Sequence, residues 1–361
     1  MKRMISIFII AAILISTGGC GSNGDNQKEK EGELDYNDFM VFKNPFALTP
    51  SGQYINVYDY IYYMTDGSPC SILCSKAECG HNDQECDAYF EGSGLTYSNE
   101  RLYYVGDDQE GEFGLYQMSL TGRERKLVKK LDILTENIGK TYNLSGCGDH
   151  IFLSLEGKIY LIDLDKKNEP ELIVQPDEKY SSYGTYKVTN QWLVMSACFA
   201  KGEYDLLLYN IKTKEKQVLY EKFVPELYDF YFSDKNEVYY FIGKDGFYKK
   251  NLDTGEVVKF RDAKGEIEDG CASYDDKYVY ISTVPQLTGK EKGVRIYDRE
   301  GKLIEFLSTE EIKGNIIYGF STKERVYFIN SISADLMIPA YSIQKDMIGS
   351  GKVKFEKVKK N

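Results

Sequence analysis

The chain has 361 residues with 45 Lys and Arg against 56 Asp and Glu, a formal net charge of −11, and 31 Tyr and 18 Phe beside 8 Pro and one Trp. An acidic balance of this size argues against nucleic acid as the main partner, because phosphate backbones need a basic surface to neutralise them. The length suits two average domains or one large all-β domain, and the excess of Tyr and Phe favours many short, half-buried strands.

Lys2 and Arg3 open the chain, Met4 to Ser16 is apolar apart from Ser6 and the terminal Ser16, and Thr17-Gly18-Gly19-Cys20 places small residues before a cysteine. That order is the grammar of a cleaved export signal, and the run is shorter than the roughly 20 residues a spanning helix needs. Residues 1–19 are therefore expected to be a lipoprotein signal peptide, with Cys20 carrying palmitate-type lipid; Thr17 stands where such signals usually have Leu. Two or three acyl chains, at about 0.8 kcal/mol per buried methylene, anchor a protein stably. Loss of Lys2 and Arg3 leaves a mature net charge of −13. Residues 20–37 are polar and charged, a flexible tether. The expected location is the outer face of a bacterial cell membrane, with the bilayer as partner through the acyl chains.

Residues 38–361 are expected to form a single domain. An apolar or aromatic cluster recurs at Ile61-Tyr62-Tyr63, Leu102-Tyr103-Tyr104, Ile151-Phe152-Leu153, Leu193-Val194, Val238-Tyr239-Tyr240, Val279-Tyr280 and Val326-Tyr327-Phe328, at steps of 41, 49, 41, 46, 41 and 47 residues. From the second unit on, a further strand follows, ending near a tyrosine and a polar turn such as Thr121-Gly122, Thr254-Gly255 or Glu300-Gly301. That is hairpin chemistry, about four short antiparallel strands per unit. A period of this length with this content is a blade of a β-propeller. Seven units are expected, starting near Tyr54, Leu95, Tyr142, Tyr186, Phe230, Ala272 and Tyr318, with six or eight as alternatives. Phe39 to Phe46 is a candidate strand for closing the ring onto the last blade.

The first unit runs into a cysteine-rich insertion at 70–86. Cys74-x4-Cys79-x-His81-x4-Cys86 offers three thiolates and one imidazole, the ligand set of a closed structural zinc site. Cys70 stands four residues before Cys74, too far along an extended strand to share the ion without a turn. Disulfides are the competing reading, since an exported protein meets oxidising conditions. Cys147, Cys198 and Cys271 are isolated in predicted strands and read as small apolar residues.

The stretch LCSKAECGHNDQECDAYF, placed after a Tyr-Tyr strand in a lipid-anchored repeat protein, resembles predicted β-propeller (TolB-like) lipoproteins of low-GC Gram-positive bacteria. Those carry a similar Cys-x4-Cys-x-His-x4-5-Cys motif ahead of their blades. The resemblance implies the architecture and no activity.

No G-x-S-x-G, H-E-x-x-H or Walker loop occurs. His150 precedes a predicted strand as a hairpin residue. Asp107-Asp108, Asp163 with Asp165, and Asp275-Asp276 are the visible acid pairs, of which the last two fit turn chemistry. Tyr180, Tyr183 and Tyr186, with Asp107 and Asp108, are the candidate binding residues, because aromatic rings in loops offer contact area at small entropic cost. The leading expectation is a non-catalytic, surface-tethered binding or scaffold module that holds a protein or glycan on one propeller face. A carbohydrate-active enzyme with paired carboxylates and a sensory or assembly subunit of an envelope complex are the alternatives.

Overall fold

The computed structural model describes residues 46–359, except positions 51, 58, 83, 91, 107–112, 136–141, 190, 201, 224–227, 234–235, 244, 263–269, 284–290 and 331–337. The lipoprotein signal, Cys20 and the tether lie outside the described residues. Seven four-stranded antiparallel sheets span 46–72, 93–130, 142–174, 182–223, 228–262, 270–308 and 316–357, each made of four consecutive strands. The fold class is the all-β, seven-bladed β-propeller. Among the described residues no helix is long and apolar enough to cross a membrane.

The chain groups into two compact units. One holds blades three and four within Lys129–Val224; the other holds Pro45–Gly106, Leu115–Val128 and Pro225–Asn361, and so the other five blades.

Burial follows strand position. The second strands Arg101–Gly106, His150–Leu155 and Glu237–Ile242 are buried at every residue but the first. Both faces of such a strand meet apolar neighbours, so its sequence is a near-continuous apolar run rather than an alternating one. Outer strands such as Val257–Asp262 and Lys216–Phe223 are largely exposed and rich in charge, which guards an open sheet edge against pairing with other chains.

Blade one departs from the expected frame. Phe46–Thr49 is its first strand, paired with Gly52–Val57, so Ile61-Tyr62-Tyr63 falls on the third strand, Tyr60–Thr65, and not on the second. Phe46–Thr49 therefore belongs to its own blade; residues 39–45, the rest of the expected closing strand, lie outside the described residues. Blade seven takes its fourth strand from the C-terminal Glu356–Lys357. Blades one and seven meet through side chains: Thr322 Oγ1 and Tyr327 OH donate to Asp66, the latter at 3.3 Å, and Ile55, Met64, Cys70, Phe320, Tyr327 and Ile338 share one apolar cluster. Cys70 N–H donates to the carbonyl of Lys359 at 3.1 Å.

Candidate metal centre

The fourth strand of blade one is broken in two. Ser71–Ile72 pairs with the third strand at Tyr62 and Tyr63, and Leu73 N–H continues the ladder by donating to Ile61 C=O at 2.8 Å. The ladder then resumes fifteen positions later in the sequence. Ile61 N–H donates to Ala88 C=O at 2.9 Å, Tyr60 bridges Tyr89, and Phe90 N–H donates to Asp59 C=O at 2.8 Å. Residues 74–87 are thus an excursion looped out of a single strand, with Cys74 at its start and Cys86 at its end.

Within the excursion, the Sγ atoms of Cys74, Cys79 and Cys86 and a ring nitrogen of His81 all lie within 4.8 Å of one another. His81 Nδ1 is 3.3 Å from Cys86 Sγ. Zinc bonds of about 2.3 Å to sulfur and 2.0–2.1 Å to nitrogen at tetrahedral angles put neighbouring ligand atoms about 3.5–3.8 Å apart, so the spacing fits such an ion. Left-handed backbone at Glu78 (φ 59°) and His81 (φ 50°) turns the chain tightly about the cluster. Cys86 is buried, while Cys74, Cys79 and His81 are half-buried. The six cysteines whose side chains are described, Cys271 not among them, are free thiols. Cys70 belongs to the apolar cluster at the blade-seven junction and not to the ligand set.

The electrostatics of the cluster suit a cation. Burial works to raise the Cys74 thiol, but backbone N–H groups of Lys76 and Asp87 and the thiols of Cys79 and Cys86 outweigh it, and its pKa is lowered. Burial pushes the Cys86 thiol up to about 11; the Ala88 N–H opposes this, and Cys74 and Cys79 add to it. Three sulfurs this close cannot all ionise beside one another, and a dication removes that conflict. Four protein ligands would fill every tetrahedral position, so an ion held here would be structural rather than catalytic.

The other candidates fall elsewhere. Tyr180 and Tyr183 are 5% and 3% exposed, with the exposed residues Asp177 and Lys179 beside them. Tyr180 OH donates to Asp205 at 2.6 Å, and Tyr183 OH donates to Asp177 at 3.1 Å. Asp177 also accepts the N–H groups of Lys179 and Tyr180, both at 2.8 Å, so the tyrosine hydroxyls are engaged in a polar network that reaches the surface. Asp107, Asp108 and the Tyr186 side chain lie outside what is described. Asp163 pairs with Lys166 at 2.8 Å and stands 4.0 Å from His150. Asp275 is buried against Lys345 at 3.0 Å, a partner seventy residues on that no local pattern announces.

The sequence matches no protein-family model and no curated protein. Among solved structures, the chain is similar to BamB from Moraxella catarrhalis at 11% identity and a TM-score of 0.42, over 79% of each chain. It is similar to TolB from Acinetobacter baumannii at 13% and 0.40, over 73% of this chain and 61% of that one. An oligogalacturonate lyase in complex with manganese matches at 13% and 0.48, over 72% and 74%. The fold assignment itself stands on the strand pairing described above.

Proposed function

We propose that the protein is a non-catalytic binding or scaffold module, tethered by lipid on Cys20 to the outer face of a bacterial membrane, whose first blade is stapled by a zinc ion on Cys74, Cys79, His81 and Cys86. The observation that carries the reading is the closed four-ligand cluster set into an interrupted strand, which supports a structural and not a reactive role for the metal. The acid groups support it too: Asp163 and Asp275 are engaged by Lys166 and Lys345, so neither is poised as a general acid or base. The leader and Cys20 support the address. Asp107 and Asp108, together with Tyr186, are the positions from which to map the contact surface for a protein or glycan partner.

Two measurements test this. Elemental analysis of the protein purified without chelator is expected to give about one zinc per chain, lost on Cys79→Ser; zinc-free folded protein with a Cys74 to Cys86 region closed by disulfides would refute the staple. Screening the soluble form beginning at Ser22 against cell-wall polymers and host glycans, with product analysis by mass spectrometry, is expected to give binding without turnover. Release of shortened sugars would transfer the protein to the carbohydrate-active enzymes.

A further inference from the structure

Asp87 directly follows the last ligand, Cys86, yet lies outside the ligand set. Its side chain is 13% exposed. Oδ2 accepts Ser75 Oγ at 3.0 Å and Arg123 Nε at 3.1 Å, and Oδ1 stands 3.6 Å from Lys76 Nζ. The backbone N–H of Asp87 donates to the Cys74 sulfur, and its carbonyl accepts Arg125 Nη2 at 2.7 Å. Arg125 Nη1 donates to the carbonyl of Tyr89 at 2.6 Å.

These contacts have a direction. Ser75 and Lys76 follow the first ligand, Asp87 follows the last, and Arg123 and Arg125 come from the turn between the third and fourth strands of blade two. One carboxylate therefore ties both ends of the excursion to each other and to the next blade. The approach is close: a Cβ on Gly122, whose φ is +79°, would stand 3.0 Å from the Asp87 carbonyl and 3.3 Å from the Leu73 side chain.

We propose that Asp87 is the positioning residue of the metal centre, setting the distance between Cys74 and Cys86, and that through Arg123 and Arg125 it makes metal loading and closure of the seam between blades one and two a single coupled event. The inference rests on the metal reading above. Groups that orient metal ligands without touching the ion change affinity about 10- to 100-fold when removed. Coupling is reciprocal, so a seam that metal tightens is a seam whose loosening weakens the metal. An ordinary ion pair at this position would instead change stability and leave affinity alone.

The test uses the full-length chain in detergent, titrated with Co2+ and then with Zn2+ in competition, together with amide hydrogen exchange at 122–125. Wild type is expected to show thiolate-to-cobalt charge transfer and tetrahedral ligand-field bands, and slower exchange at 122–125 on zinc loading. Asp87→Asn is expected to keep the band positions, bind zinc about 10- to 100-fold more weakly, and lose the zinc effect on exchange. Zinc affinity within twofold of wild type in Asp87→Asn overturns the inference and leaves the metal centre standing; no thiolate band in wild type overturns both. If Asp87→Asn does not fold, Arg123→Gln, on a half-exposed side chain, carries the same expectation at the lower end of that range, and unchanged affinity there overturns it.

Discussion

The seam between blades six and seven and the seam between blades one and two solve one problem in different ways. In the first, the side chains of Lys345 and Asp275 are each 3% exposed and 3.0 Å apart. Lys345 Nζ also donates to Asp276 and to the Thr322 carbonyl, the latter at 3.2 Å. Asp275 takes the N–H groups of Lys277 and Tyr278 at 2.8 Å and the Tyr280 hydroxyl at 2.7 Å. The chain itself answers every one of these polar groups. In the second, three sulfurs and an imidazole face one another, and backbone N–H groups oppose the effect of burial on two of the thiols. A continuous blade can supply the counter-charge from its own strands; in the interrupted one, the proposed zinc would bring that charge from solution.

The sharpest way to break the comparison is Lys345→Met. Removing one partner leaves Asp275 buried and uncompensated, and the expected loss is about 3–5 kcal/mol in urea denaturation. A loss near zero would mean that the seam admits water and is not the self-sufficient one.

Zinc dependence comes next. At zinc about 1,000-fold over its dissociation constant, wild type should gain about 4 kcal/mol over the chelated form, whereas Cys79→Ser should gain almost nothing. Equal gains in both would place the ion elsewhere.

The pH profile sharpens the contrast further. Burial works to raise the Asp275 carboxyl, but Lys345, the Tyr280 hydroxyl and two amides outweigh it and hold it below the usual 3.8. Burial works to lower Lys345, but Asp275 and Asp276 outweigh it and hold it above the usual 10.5. The depressed acid contributes stability that is present above 3.8 and lost as pH falls through its folded pKa. The raised lysine contributes stability that is present below 10.5 and lost as pH rises through its folded pKa. The gap between wild type and Lys345→Met should therefore narrow as pH falls, because the variant's uncompensated Asp275 escapes its penalty by taking a proton, and narrow again as pH rises through the folded Lys345 pKa. A gap that widens as pH falls below 7 would assign it to other groups.

Smallest of all is Glu124→Gln. Arg101 and Glu124 pair at 2.9 Å, but their side chains are 36% and 65% exposed. Such a pair contributes about 0–1 kcal/mol, and the midpoint should hardly move. A larger shift would show that surface charge, not burial, governs this region.

Much of the fold was legible in the residues because a blade's second strand is covered on both faces. Leu102-Tyr103-Tyr104 and Val238-Tyr239-Tyr240 announce themselves as apolar runs for that reason. In blade one the same pattern misled, since the half-buried third strand carries Ile61-Tyr62-Tyr63 and the short Phe46–Thr49 ahead of it has little signature. The clustering of Cys74, Cys79, His81 and Cys86 was legible from spacing within thirteen residues. Asp87's partners were not: Arg123 stands 36 residues away, and nothing local marks the pair. Tyr180 and Tyr183 looked like a contact surface because tyrosine suits both surfaces and interiors, and only the positions of Asp177 and Asp205 decide which.

By itself, then, the sequence determined the blade repeat, the strand-rich class and the grouping of four candidate metal ligands, all of which depend on periodicity or short spacing. Tertiary structure alone decided that the candidate ligands sit in a break of one outer strand, that Asp87 joins that break to blade two, and that Lys345 neutralises Asp275. The reason is physical: propensity and pattern act over a few residues, whereas a buried charge is satisfied by whatever the folded chain brings within about 3 Å, at any distance along it.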